Sequence, residues 1–90
     1  MKVRKHIYFS GYVQGVGFRY QASYIAQSLG LTGWVKNLYD GRVEMEVQGK
    51  EDEIELLISK LQNGRFISIE DVDMKEIPIE SEKSFRIRGY

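Results

Sequence analysis

The hydrophobic pattern of this chain switches between a period of two residues and a period near 3.6, twice in each direction, and few folds satisfy that alternation. From Lys2 to Tyr12, Val3, Ile7, Phe9 and Gly11 fall on one face, and Arg4, His6, Tyr8 and Ser10 on the other, as in a half-buried strand. Lys5 interrupts the apolar face and is expected near the strand's open end. From Phe18 the period lengthens, and Phe18, Ala22, Ile25, Ala26 and Leu29 make a helical stripe, with Gly30 where a helix C-terminus wants glycine. Trp34 to Tyr39 reads as a second strand. Asp40-Gly41 then signals a hairpin into a third, where Val43, Met45 and Val47 alternate with Arg42, Glu44, Glu46 and Gln48 up to Gly49. Glu51, Asp52 and Glu53 suit a helix N-terminus, Ile54, Leu57, Ile58 and Leu61 supply its stripe, and Asn63-Gly64 stops it. Ile67, Ile69, Val72 and Met74 predict a fourth strand whose alternation slips at Glu70-Asp71, the mark of a bulge or break. Phe85 and Ile87 make a short last strand. The order β-α-β-β-α-β, its last strand divided, predicts an α+β class: a ferredoxin-like split β-α-β sandwich, an antiparallel sheet with two helices on one face. That architecture hosts many activities, so function has to be sought in particular residues.

Ninety residues make one domain, expected over 1–90, and so small a chain buries only about 60% of its unfolded surface. There is no Cys, which excludes disulfides, thiolate metal sites and cysteine nucleophiles. No apolar run reaches the ~18 residues of a membrane span, and Met1 to His6 contains no signal-peptide core, so a cytoplasmic protein without membrane partners is expected. The zero net charge is divided: residues 1–39 carry five bases and no acid, residues 40–90 thirteen acids against eight bases. Either the basic half meets an anionic partner or the halves neutralise each other in the fold. Nucleic acid is not expected, because the bases are few and scattered, and the RNA-binding pattern that would turn Tyr8, Tyr12, Phe9 and Trp34 into a stacking platform is missing.

Two segments carry candidate chemistry. Gly11-Tyr12-Val13-Gln14-Gly15-Val16-Gly17 joins the first strand to the first helix, and Arg19 follows in the first turn. Glycines there can form a nest of N–H donors at the positive end of the helix, and a guanidinium matches phosphate oxygens. Arg19 adds positive charge to an already positive helix end, a mismatch that an anion would relieve. Tyr20 stands where a dinucleotide fingerprint would need its third glycine, and no Gly-Lys-Ser/Thr follows, so neither nucleotide motif is present. The alternative is a tight turn in which Arg19 pairs with a carboxylate. In the second segment, Gly33 to Gly41, Asn37 shares a face with Val35 and Tyr39 by alternation. Its amide can hold a water or a substrate oxygen, or it can cap the Asp40-Gly41 turn. The lone His6, the acids Glu51 to Glu55 and the serines Ser10, Ser23 and Ser28 have neither metal-ligand nor nucleophile spacing.

Taken together, Gly11-Tyr12-Val13-Gln14-Gly15-Val16-Gly17-Phe18-Arg19, Gly30-Leu31-Thr32-Gly33-Trp34-Val35-Lys36-Asn37, Asp40-Gly41-Arg42-Val43-Glu44 and the terminal Phe85-Arg86-Ile87 closely resemble acylphosphatase over essentially the whole chain. The resemblance implies a hydrolase that splits the carboxyl–phosphate bond of small acyl phosphates into carboxylate and inorganic phosphate, and a free-standing monomer is expected. It implies no metal, no cofactor and no covalent intermediate. It assigns phosphate binding to Gln14, Gly15, Val16, Gly17, Phe18 and Arg19, and catalysis to Arg19 and the water-positioning Asn37. The alternative is an acylphosphatase-like phosphate-binding module without rapid turnover. Two departures stand out: Lys36 where Arg or Gln is frequent, and Asn63-Gly64-Arg65-Phe66 in place of Gly-Pro-Pro before the fourth strand.

Overall fold

The computed structural model describes residues 1–89; Tyr90 lies outside the described residues. The elements run β1 (Lys2–Tyr12), α1 (Phe18–Ser28), β2 (Thr32–Asn37), β3 (Val43–Lys50), α2 (Glu51–Gln62), β4 (Ser68–Ile77) and β5 (Phe85–Arg88), and the sheet order is β4-β1-β3-β2-β5. Four strands pair antiparallel, while β5 lies parallel to β2, with Val35 opposite Ile87, so the sheet is mixed at that edge. The second helix and the bulge fall where the sequence pattern put them. Glu70 is the extra residue between Ile69, which pairs with Gly11, and Asp71, which pairs with Ser10. A side chain at position 11 would put Cβ 2.4 Å from the Ser68 carbonyl oxygen, so the bulge closes only over glycine.

Both helices lie on one face of the sheet. The core joins Phe18, Ala22 and Ala26 of α1 and Ile54, Leu57 and Leu61 of α2 to Ile7, Phe9, Val35, Val43, Met45, Val47 and Phe85 of the strands. Phe9 and Phe18 meet with ring centroids 5.0 Å apart, which anchors the start of α1 on β1. The far end of α1 closes in a Schellman motif around left-handed Gly30: the Gly30 amide donates to the Gln27 carbonyl and the Leu31 amide to the Ala26 carbonyl. The chain thereby turns straight into β2.

Three expectations need correction. Strand β2 ends at Asn37, not Tyr39: the Leu38 amide donates to the Arg42 carbonyl at 2.9 Å, so 38–42 is a turn and Tyr39 is solvent-exposed, off the face that Asn37 shares with Val35. Gly49 does not end β3; it pairs with Val3 inside the sheet, where a Cβ would lie 2.3 Å from Leu31 Cδ2. The supposedly polar face of β1 is not solvated throughout, because Arg4 has no exposed surface. Its Nε donates to Glu46 at 2.9 Å and its Nη1 to Glu82 at 2.7 Å, while Gln48, fixed by the Glu80 backbone, ties the 78–84 segment over it. Burial opposes the guanidinium's charge most strongly, but the bonds to Glu82 and Glu46 and the charges of Glu82 and Glu80 outweigh it and raise its pKa. The residues that complete this site come from over forty positions away, where strand periodicity carries no information.

Candidate active site

Strand β1 ends at Tyr12, α1 begins at Phe18, and the five residues between them must reverse the chain over the sheet end. The backbone φ changes sign at successive residues: +74° at Gly15, negative at Val16, +81° at Gly17. Alternation of this kind turns consecutive N–H groups toward one point and forms a concave anion site. Gly17 is also the N-cap residue of α1, so the orphan amides of the first helical turn open onto the same concavity. A Cβ at Gly15 or Gly17 would meet nothing within 4 Å, so these glycines answer a demand of backbone conformation, not of crowding.

The two helices treat their positive ends differently. Helix α2 places Glu51, Asp52 and Glu53 in its first turn. Helix α1 has no acid there and no side-chain cap, and carries Arg19 instead. Among the described residues Arg19 pairs with no carboxylate; its Nη1 reaches only the Arg88 carbonyl, at 3.5 Å on the exposed surface. The turn held by an Arg19–carboxylate pair is therefore not what forms. The basic guanidinium stays available beside an uncompensated helix N-terminus, an arrangement that favours an anionic guest.

Asn37 arrives from the other side. Strand alternation on β2 turns Gly33, Val35 and Asn37 toward the helices, and Asn37 is 8% exposed. Among the described residues its Oδ1 is buried without a hydrogen-bond partner. It does not cap the following turn, which Asp40 holds by accepting from the Arg42 amide at 3.1 Å and from Arg42 Nε at 2.8 Å. The Arg42 amide bond is the largest effect on the Asp40 carboxyl and lowers its pKa; desolvation opposes it, and the Arg42 guanidinium adds to the lowering.

Arg19, Asn37, Gly15, Gly17, Phe18, Val13 and Tyr20 line one cavity of about 150 Å³. Two residues from segments eighteen positions apart, one a fork of donors and the other an unsatisfied amide, thus face a common space the size of a small oxyanion with a water. A model of the acylphosphatase family matches residues 5–87. The chain belongs to the acylphosphatase family. An acylphosphatase of Bifidobacterium longum is 44% identical over 89 residues, covering 96% of this chain and 92% of its own. The crystal structure of acylphosphatase from Bacillus subtilis superposes with a TM-score of 0.89 at 36% identity, over 96% of this chain and 98% of that one. Full-length HypF, solved in its phosphate- and nucleotide-bound form, matches 99% of this chain with 12% of its own, at 31% identity and a TM-score of 0.83.

Within this acylphosphatase fold, the residues expected to contact phosphate divide. Gly15, Gly17, Phe18 and Arg19 line the cavity with Asn37. The side chains of Gln14 and Val16 turn elsewhere, Val16 half-buried against the core and Gln14 bonded to the Leu38 and Arg42 carbonyls, and the expectation for these two concerns their backbone amides. Val13 and Tyr20 line the cavity although sequence reasoning passed over them. Tyr20 sits next to Arg19 on the first turn, a position that the helical stripe marks only as off the core face. Among the described residues no group of three or more His, Cys, Asp or Glu is arranged to hold a metal ion.

Proposed function

We propose that the chain hydrolyses the carboxyl–phosphate bond of acyl phosphates, with the phosphoryl group seated in the cavity between the 13–17 loop and β2. The observation that supports this most is the single cavity of about 150 Å³ shared by Arg19, Asn37 and the left-handed glycines. In this reading the amides of residues 14–18 and the Arg19 guanidinium bind the equatorial oxygens and neutralise the charge that otherwise repels an incoming water. Preorganised donors of this kind typically contribute about 10²–10³ in rate each.

Asn37 holds the attacking water in line with the bond that breaks. Water oxygen bonds to phosphorus as the phosphorus–oxygen bond to the acyl group breaks, and its electron pair leaves on the carboxylate. A carboxylate is a weak base, its acid having a pKa of about 4, so departure needs no strong general acid. The water proton passes to a phosphate oxygen of the substrate, which leaves carboxylate and dihydrogen phosphate with charge conserved. Arg19 serves binding and transition-state charge, and Asn37 serves turnover.

The test is phosphate release from benzoyl phosphate and acetyl phosphate, with and without EDTA. Fast release from both, unaffected by EDTA, is the expected result. Phosphate that binds in competition with substrate analogues but is never released from acyl phosphate would make this a binding module and overturn the proposal.

A further inference from the structure

Gln14 is drawn into the turn opposite it and away from the cavity its loop surrounds. Its Nε2 donates to the Leu38 carbonyl at 2.6 Å and to the Arg42 carbonyl at 2.9 Å. Both partners are carbonyls, so only the NH₂ end of the amide can face them. One group thus uses both of its hydrogens across 24 and 28 positions of sequence. The two carbonyls are the ones that close the β2–β3 turn, since Leu38 O accepts from the Gly41 amide and Arg42 O from the Leu38 amide. Leu38 directly follows Asn37, and Gln14 directly precedes Gly15.

We propose that Gln14 is a positioning residue: its side chain couples the phosphate loop to the strand end that carries Asn37, and so sets the distance between bound phosphoryl and bound water. The proposal rests on the reading of Arg19 and Asn37 given above. Both bonds run directly from the 13–17 loop to the 38–42 turn. Among the described residues the Asn37 Oδ1 has no hydrogen-bond partner that would fix its amide. Its place is therefore inherited from the backbone, and the backbone on its C-terminal side is held from across the site by Gln14. A displacement of about 1 Å at such a distance can cost roughly 100-fold in rate while phosphate, gripped by the loop amides and Arg19, binds as before.

The experiment compares Gln14→Met, equal in length and without donors, with the wild type. The expected result is a kcat lower by roughly 10–100-fold, an inhibition constant for inorganic phosphate within about threefold of wild type, and a shifted Asn37 side-chain amide resonance in the NMR spectrum. Gln14→Asn, which keeps an amide too short to span both carbonyls, should show the same split if Gln14→Met does not fold. A folded variant with wild-type kcat, or one whose kcat and phosphate affinity fall together, overturns the proposal. If the wild-type chain itself released no phosphate from benzoyl phosphate, the functional reading would fail instead, and the Asn37 resonance would still report whether Gln14 positions it.

Discussion

Asn37→Ala should separate activity from stability. The wild-type side chain is 8% exposed, and its Oδ1 has no hydrogen-bond partner among the described residues. A buried acceptor left unsatisfied costs about 1–3 kcal/mol, part of which is offset on truncation by the contacts the carboxamide loses. Alanine removes that acceptor, and the truncation deletes no methyl or methylene group that packs in the core. Folding stability should therefore stay level or rise by up to about 1 kcal/mol, which for a domain of this size raises Tm by up to roughly 4–8 °C. Meanwhile the water loses its holder, and kcat should drop by roughly 10²–10³ with the inhibition constant for phosphate nearly unchanged. The assay is benzoyl phosphate hydrolysis and phosphate competition, alongside thermal unfolding followed by circular dichroism. A Tm lower by more than about 5 °C would mean that the Asn37 amide is a structural element of the turn. A kcat within about threefold of wild type would mean that it does not hold the nucleophile.

Arg19→Ala should weaken both phosphate competition and turnover, the former by roughly 10–100-fold because charge-assisted hydrogen bonds are lost; phosphate affinity that survives the change would restrict the cradle to backbone amides. Arg4→Met should cost about 3–5 kcal/mol, because Glu46 and Glu82, each mostly buried, are left without their cation; a Tm loss under about 5 °C would show that solvent screens them. The Asp40 carboxyl, held below its ordinary pKa by the Arg42 amide first, contributes to the turn fully above about pH 4 and loses that contribution as pH falls through its lowered folded value. A ¹³C titration of Asp40 should give a midpoint below about 3.9, and a midpoint at or above that value contradicts the bond.

Which lessons belong to sequence and which to structure differs from residue to residue. Glu70 shows how far periodicity reaches: a strand whose alternation slips by one must place an extra residue, and it does so opposite Gly11. Tyr39 shows where periodicity fails. Its alternation with Asn37 is a property of a strand, and whether the strand persists depends on where the turn hydrogen bonds close, at Leu38 and Arg42. The burial of Arg4 was equally out of reach, since its neutralising partners Glu46 and Glu82 are brought to it only by sheet pairing and by the 78–84 segment crossing the outer face.

The element order, the glycine-rich helix entry and the facing of Asn37 toward the helices follow from the linear chain, because each depends on local backbone preference or on a two-residue repeat. That Arg19 and Asn37 border one small cavity free of any Arg19–carboxylate pair among the described residues, that the buried Asn37 Oδ1 has no partner among them, and that Gln14 reaches the carbonyls of the neighbouring turn were decided by tertiary structure. These are distances between segments far apart in the chain. They are set by how β1, α1 and β2 pack around Phe9, Phe18 and Val35, and no local preference encodes them.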